Sequence, residues 1–596
     1  MIDLERILAI PFIDSGHPPA VSPDGELIAF SSNLSGQWEI YLLSLKEPSQ
    51  VQKISQGEGA KFAPAWSPDG KWLYCVVDQD GSERFDIMRW SIISQEWQNL
   101  TPNTPDSIEA EFDLSPDGEQ IALISNRSGK FEVYLLRIEN LEWRKISQLP
   151  FPACDVAWSP DGKYLAITVL AKGQDYYTYI YPLDGNEPFP VADHKGQICA
   201  KQVSWSPDSS MFVFASDYKG YFNIGLYDMN LKRFAWLTSG KGDKEAPVWS
   251  PDSQKIAFLL GSGAKNSLAV INLKLRETAV CQHDFGIYHQ PAFSRDSKSV
   301  FFIFENPKTP PNLFQLDLPD GKPIPLTTSP NMEEFQNYFV MPKEITYRST
   351  DGKDVPALLY QPQQTKPHGP AVVYIHGGPN WLSQINWDGL IQHMVSRGWV
   401  VIAPNYRGST GYGKEWQLLD RFDLGGAEAE DILAAADYLV QKRLAHAQKI
   451  AVTGRSHGGY LTMVCLTRFP DRWICGSAVV PFLNWFTAHE NSRQDLQHWD
   501  LENFGDPVVD KARYFERSPF FFLDKIQAGV QMICGENDPR CPAQESILAD
   551  QRLKELGKFS ELHLYKGEGH FFLKLENVID AKKKQIDFLA RFLDKS

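Results

Sequence analysis

The chain has no apolar run approaching the roughly 20 residues that a bilayer-spanning helix needs. Its eight cysteines include no CxxC pair, and it carries no excess of cations: Lys and Arg number 59 against 74 Asp and Glu, a formal net charge of −15. The first absence argues against a helical membrane protein. The charge balance argues against a nucleic-acid binder or a polybasic membrane-surface protein, both of which need clustered cations. Cysteines scattered through apolar segments read as reduced, buried thiols of a cytoplasmic protein. The start, MIDLERILAIPFI, places Asp3, Glu5 and Arg6 where a secretory signal would show a basic opening and an unbroken apolar stretch. HExxH, GxxxxGK[ST] and a GxGxxG following a strand are also missing, so no metal and no cofactor is expected.

At 596 residues with 43% hydrophobic content, the chain has material for two large domains or three or four ordinary ones. A Ser-Pro/Arg-Asp element recurs at Ser22, Ser67, Ser115, Ser159, Ser206, Ser250 and Ser294, 44 to 48 residues apart. Gly25, Gly70, Gly118 and Gly162 complete SPDG in four copies; Ser209, Ser253 and Ser297 stand there in the others. Each element is a turn between a short strand and an apolar-rich strand, and two more strand-like segments follow it. Four short strands per repeat match a propeller blade, which cannot bury its faces without neighbours. Seven copies predict seven blades. Each blade looks locally complete, so the ring is expected to close by packing alone, without an exchanged strand.

From about Met341 strands alternate with helical periodicity, which implies a mostly parallel sheet covered on both faces. The sharpest feature there is Gly454-Arg455-Ser456-His457-Gly458, between the strand KIAVT and a helix. GxSxG in that setting is a nucleophile elbow, in which small residues flanking the serine let the backbone bend sharply. A serine hydroxyl needs an adjacent base oriented by an acid. Candidate acids follow the strand VQMIC at Glu536 and Asp538, with Asp524 upstream. Candidate bases are His570 after the strand ELHLY, His563 inside it, and His489 and His498 in an irregular insert running from Pro481 to Phe522. Strand ends are where such sheets place ligands, which favours Asp538 and His570. His376-Gly377-Gly378-Pro379 directly follows the strand AVVYI, and the amides of Gly378 and His457 are candidate oxyanion donors.

A propeller of SPDG repeats followed by HGGP, NYRGSTGYG, GRSHGGY, GENDPRCP and GEGH resembles the prolyl oligopeptidase family, most closely its acylaminoacyl-peptidase and dipeptidyl-aminopeptidase-like bacterial branch. The resemblance implies Ser456 as nucleophile, His570 as general base and then acid, Asp538 as the orienting acid, and Gly378 and His457 as the oxyanion hole. It also implies Arg540 as a substrate contact and, from the early part of the insert, Phe482, Trp485 and Phe486 as walls of an apolar P1 pocket. The paired-glutamate motif that dipeptidyl-peptidase-IV-like members use for a free α-amine has no counterpart in the propeller sequence. Arg455 and His457 stand in the elbow where other members carry other residues.

The expected architecture is therefore two domains: residues 17–335 as a seven-bladed β-propeller and 336–596 as an α/β-hydrolase domain, with 1–16 an N-terminal segment packing on the latter. The expected activity is a serine peptidase releasing N-terminal aminoacyl, acylaminoacyl or dipeptidyl groups from short peptides, with the propeller limiting access. The alternative is a carboxylesterase-type acyl hydrolase on the same scaffold. No nucleic-acid or membrane partner is expected, and a homo-oligomer is compatible with the sequence.

Overall fold

The repeated turn has a physical reason that the computed structural model makes plain; it describes residues 1–595 except 49, 103, 105, 282, 283 and 365. In every copy the serine hydroxyl donates to the aspartate two residues on, at 2.5–2.7 Å, and accepts the backbone N–H five residues on. The serine thus staples the turn between two strands. The fourth position is left-handed throughout, with φ of 70–75° at the four glycines and 60–61° at Ser209, Ser253 and Ser297. Two of those serines return something for the strain: Ser209 and Ser297 accept the N–H of Asp161 and Asp252 in the preceding blade, at 2.9 and 3.0 Å. The aromatic residue before the element also ties blades together, since Trp66 Nε1 donates to Ala20 O at 3.0 Å.

Among the described residues these units form seven four-stranded antiparallel sheets, each built from consecutive strands. Among the described residues no strand is exchanged between the first and last sheets. Closure is nonetheless more than packing. Ile13 N donates to Pro311 O of the last blade, Ile13 bridges Ser32 of the first, and Arg295 donates to the carbonyls of Val21 and Ser22. Ile13 thereby joins an apolar seam with Val21, Ile28, Phe30, Phe301, Ile303 and Leu313.

Contacts divide the chain into one unit of residues 11–79 and 83–329, and another of residues 1–10, 80–82 and 330–596. These limits differ from 17 and 335 for identifiable reasons. Ile13 is already bonded into the ring, whereas Phe335 and Phe339 form a buried cluster with Ile2, Ile7 and Ile10 in the second unit. Full burial of each such isoleucine contributes about 1.5–3 kcal/mol.

The second unit is built on an eight-stranded sheet. Its strands are β1 (Lys343–Arg348), β2 (Asp354–Tyr360), β3 (Gly369–Ile375), β4 (Val400–Pro404), β5 (Ala445–Arg455), β6 (Cys475–Val479), β7 (Gly529–Gly535) and β8 (Ser560–Tyr565), in the spatial order β1-β2-β4-β3-β5-β6-β7-β8. The β1–β2 and β2–β4 pairings are antiparallel and the remainder parallel. Val372, Val373, Val401, Ile402, Ala451 and Val452 are all buried, as a sheet covered on both faces requires. The helices α1 (Gly389–Ser396), α2 (Ala427–Gln441), α3 (His457–Arg468), α4 (Ala543–Glu555) and α5 (Leu575–Leu593) fall where the sequence periodicity puts them.

The insert after β6 differs from its sequence reading. It is helical over Trp485–Asn491, Gln494–Asn503 and Lys511–Glu516, so His489 and His498 lie on helices. Its middle helix, QDLQHWDLEN, is polar on most faces and gives little periodic signal. No helix of the described residues is long and apolar enough to cross a membrane.

Candidate functional site

Strand β5 runs into α3 through Ser456, whose φ of 58° and ψ of −122° form the strained elbow. The flanking glycines are required by close backbone approach. A Cβ on Gly454 would lie 2.5 Å from Gly458 O, one on Gly458 2.3 Å from Ile375 O, and one on Gly459 2.7 Å from Val479 O. Ser456 N donates to Val479 O at 2.9 Å, which fixes the turn against β6.

Asp538 and His570, on the loops after β7 and β8, are both buried, and His570 Nδ1 lies 2.8 Å from Asp538 Oδ2. The other carboxylate oxygen, Oδ1, accepts the backbone N–H groups of Arg540 and Cys541, both at 2.8 Å. Burial pushes the His570 pKa below the ordinary imidazole value, against the opposing pull of Asp538. Glu536 is exposed, and its backbone N–H bonds Tyr565 O. His563 lies beside Glu561, and His489 pairs with Asp500 at 3.1 Å. His570 is thus the histidine brought to Asp538.

The HGGP loop follows β3. Gly378 has φ of 120°, and a Cβ there would lie 2.7 Å from Asn380 N; one on Gly377 would lie 3.3 Å from Ser456 Cβ. The backbone of this loop therefore lies against the serine. His376 braces it from below: its ring stacks on Tyr406 with centroids 4.2 Å apart and its Nε2 lies 2.8 Å from Ser409 Oγ. Burial lowers its pKa to about 3, so it is neutral. The Tyr406 hydroxyl donates to His376 O. The neighbouring Arg407 forms a buried ion pair with Asp431, at 2.6 Å, and pins the NYRG segment. His457, first residue of α3, turns its ring away to Glu428, Nε2 to Oε1 3.0 Å, which leaves its main chain at the helix start.

Two cavities meet at Ser456. One of about 120 Å³ is walled by Phe482, Trp485, Leu496 and Trp499, and His457 and Gly378 also line it. Phe482 stacks on Tyr460 at 4.5 Å and meets Trp485 edge-on at 4.8 Å. Phe486 does not line it: the ring turns to Tyr514 and Phe521, because it follows Trp485 on the same helix and so faces another way. Trp499 and Asp500 also line this pocket, and the pattern of their polar helix in the sequence does not point to them. Nor does it point to Glu545, whose buried carboxylate accepts the N–H groups of Leu483 and Asn484 and holds the pocket wall. Arg540 lines both cavities.

Cys541 was likewise unforeseen. It lines the aromatic cavity beside Ser456, and burial drives its pKa far up, so it is protonated. Asp538, Cys541 and His570 each offer a ligand atom within 4.8 Å of the others, and Asp175, Cys199 and Asp217 do the same in the propeller. In the first group Asp538 and His570 are already hydrogen-bonded to one another.

A seven-bladed propeller preceding an α/β-hydrolase sheet, with a serine elbow, a histidine–carboxylate pair and a glycine loop at the strand ends, defines a propeller-bearing serine hydrolase. Residues 386–596 match the model of the prolyl oligopeptidase family, and residues 15–168 and 174–364 that of the TolB β-propeller domain. The chain is 25% identical over 594 residues to the uncharacterized peptidase YuxL of Bacillus subtilis, covering 93% of this chain and 86% of that protein. It is 29% identical over 232 residues to dipeptidyl aminopeptidase BIII of Pseudoxanthomonas mexicana, which is 38% of this chain but only 33% of that one. The acylaminoacyl peptidase of Pyrococcus horikoshii superposes with a TM-score of 0.76 at 18% identity, covering 100% of this chain and 98% of the other, a likeness of fold. Residues 386–596 thus carry the prolyl oligopeptidase family domain, and the chain is a serine peptidase.

Proposed function

We propose that this peptidase hydrolyses short peptides through an acyl-enzyme on Ser456, releasing N-terminal aminoacyl, acylaminoacyl or dipeptidyl groups. The reading is carried by the buried His570–Asp538 contact at 2.8 Å on the rim that presents Ser456. Ser456 Oγ attacks the scissile carbonyl carbon while its proton passes to His570 Nε2. Asp538 holds the imidazole through Nδ1–H and stabilises the imidazolium that forms. The oxygen that becomes negative is received by the Gly378 and His457 amides, each such donor worth about 2.7–4 kcal/mol when deleted. The imidazolium then gives its proton to the departing amine. Water attacks the ester with His570 again as base, and Ser456 is restored.

The aromatic cavity takes the side chain on the acyl side. Its walls of Phe482, Trp485 and Trp499 favour an apolar or aromatic P1 residue. The eight cysteines are unpaired, which agrees with a reducing compartment such as the cytoplasm.

Ser456→Ala should abolish peptide and anilide turnover while leaving the thermal transition in place, and a serine-directed organophosphonate should label wild type at Ser456 alone. Labelling that persists in Ser456→Ala refutes the assignment.

A further inference from the structure

The second cavity at Ser456 is larger, about 590 Å³. It shares Ser456, Gly378 and Arg540 with the aromatic pocket but has His570 and Phe571 in its wall, which that pocket lacks. That difference assigns the two. The departing amine must receive its proton from His570, so the departing half of the peptide lies where His570 is part of the wall.

The wall there is cationic. Arg455, the residue before Ser456, donates through Nη2 to His570 O, and its guanidinium lies 4.2 Å from the Phe571 ring centroid. Among the described residues Arg455 takes part in no ion pair. Asp538 answers its charge only at longer range, and Arg540 opposes it. The Arg540 guanidinium reaches the same ring from 5.5 Å, and Lys582 adds a third positive charge within electrostatic reach of Arg455. The one acid in the wall, Asp388, is already engaged. Its Oδ1 caps α1 through the N–H groups of Leu390 and Ile391. A largely buried guanidinium without a carboxylate partner is a costly arrangement unless a ligand supplies one. A cavity of this size is in the range of small-ligand sites.

We propose that this cavity is the leaving-group pocket and that Arg455, with Arg540, binds a carboxylate of the departing amine there. The enzyme then favours peptides that carry a negative charge one or two residues beyond the scissile bond. The carboxylate is either the free C-terminus of a short leaving peptide or an Asp/Glu side chain. The inference rests on Ser456 and His570 acting as proposed above.

The test compares substrates sharing one acyl half that wild type cleaves as its p-nitroanilide, extended by Ala with a free carboxylate, by Ala-amide, or by Glu-amide. Wild type should prefer the free acid to Ala-amide by about tenfold or more in kcat/KM, as a charge-assisted hydrogen bond gives. Preference for Glu-amide as well would point to either carboxylate, and preference for Glu-amide alone to the side chain. Arg455→Gln should bring the acid-to-amide ratio to near one, and Arg455→Lys should keep part of it. The ratio is independent of how much enzyme is active, and organophosphonate titration counts active sites. Should Arg455→Gln not fold, Arg540→Gln reports on the same ratio. Equal rates for all three extended substrates in wild type, or a ratio unchanged in Arg455→Gln, would overturn the proposal while anilide cleavage leaves the Ser456 assignment standing. Absence of anilide cleavage and of Ser456 labelling would instead remove the reading beneath it.

Discussion

Replacing Asp538 by asparagine exchanges one carboxylate oxygen for an amide nitrogen, and the structure decides which. Oδ1 accepts two backbone N–H groups, from Arg540 and Cys541, at 2.8 Å each. An NH2 group there would face two donors, so the asparagine carbonyl must take that position. The NH2 then falls where Oδ2 faced His570 Nδ1 at 2.8 Å, and it can only donate. Nδ1 must become the acceptor, and the neutral ring carries its proton on Nε2, the atom that has to receive one from Ser456. The wrong tautomer is thus enforced with the fold intact. A loss of about 10⁴ in kcat is expected, or about 5.5 kcal/mol in the barrier. The assay is p-nitroanilide turnover with active sites counted by organophosphonate and the melting temperature as control. A variant within tenfold of wild type would refute the reasoning, because it would mean that the imidazole does not depend on this carboxylate for its tautomer.

The pH profile follows from the same pair. Only neutral His570 is a base, and burial holds its pKa below the ordinary 6.5, so kcat/KM should rise with pH to a half-maximum below that value. A midpoint above 7 would contradict the burial argument. In the propeller, burial raises the pKa of Asp113 to about 7 and of Asp155 and Asp243 to about 6, from an ordinary 3.8. The folded state therefore holds protons that the unfolded state releases, and stability should decline as pH rises from about 4 through 7. Hydrogen-exchange protection of strands Ile108–Leu114 and Ala153–Trp158 should be lower at pH 8 than at pH 5, with Asp113→Asn reducing the difference. Equal protection at both pH values would count against it.

What could be read directly depended on local patterning. The serine of each SPD element makes its bonds within five residues, so spacing alone exposed seven blades. The elbow is legible for the same reason: Gly454 and Gly458 flank Ser456 because their Cβ atoms would meet backbone within 2.5 Å. The helices of the insert were not legible, since QDLQHWDLEN has a polar surface and little period. Phe486 looked equivalent to Phe482 and Trp485 in the sequence; only the helix rotation separates them.

The linear order of residues thus determined the two architectures, the strand-end positions of Ser456, Asp538 and His570, and the glycine loop at Gly378, because each is written in turns and periodicities a few residues long. The tertiary structure alone decided that His570 Nδ1 meets Asp538 while His489 turns to Asp500, that Cys541 lies against Ser456, and that Arg455 and Arg540 converge on Phe571. Those outcomes rest on side chains arriving from separate strand ends, and the burial that shifts their charges exists only once the sheet has closed over them.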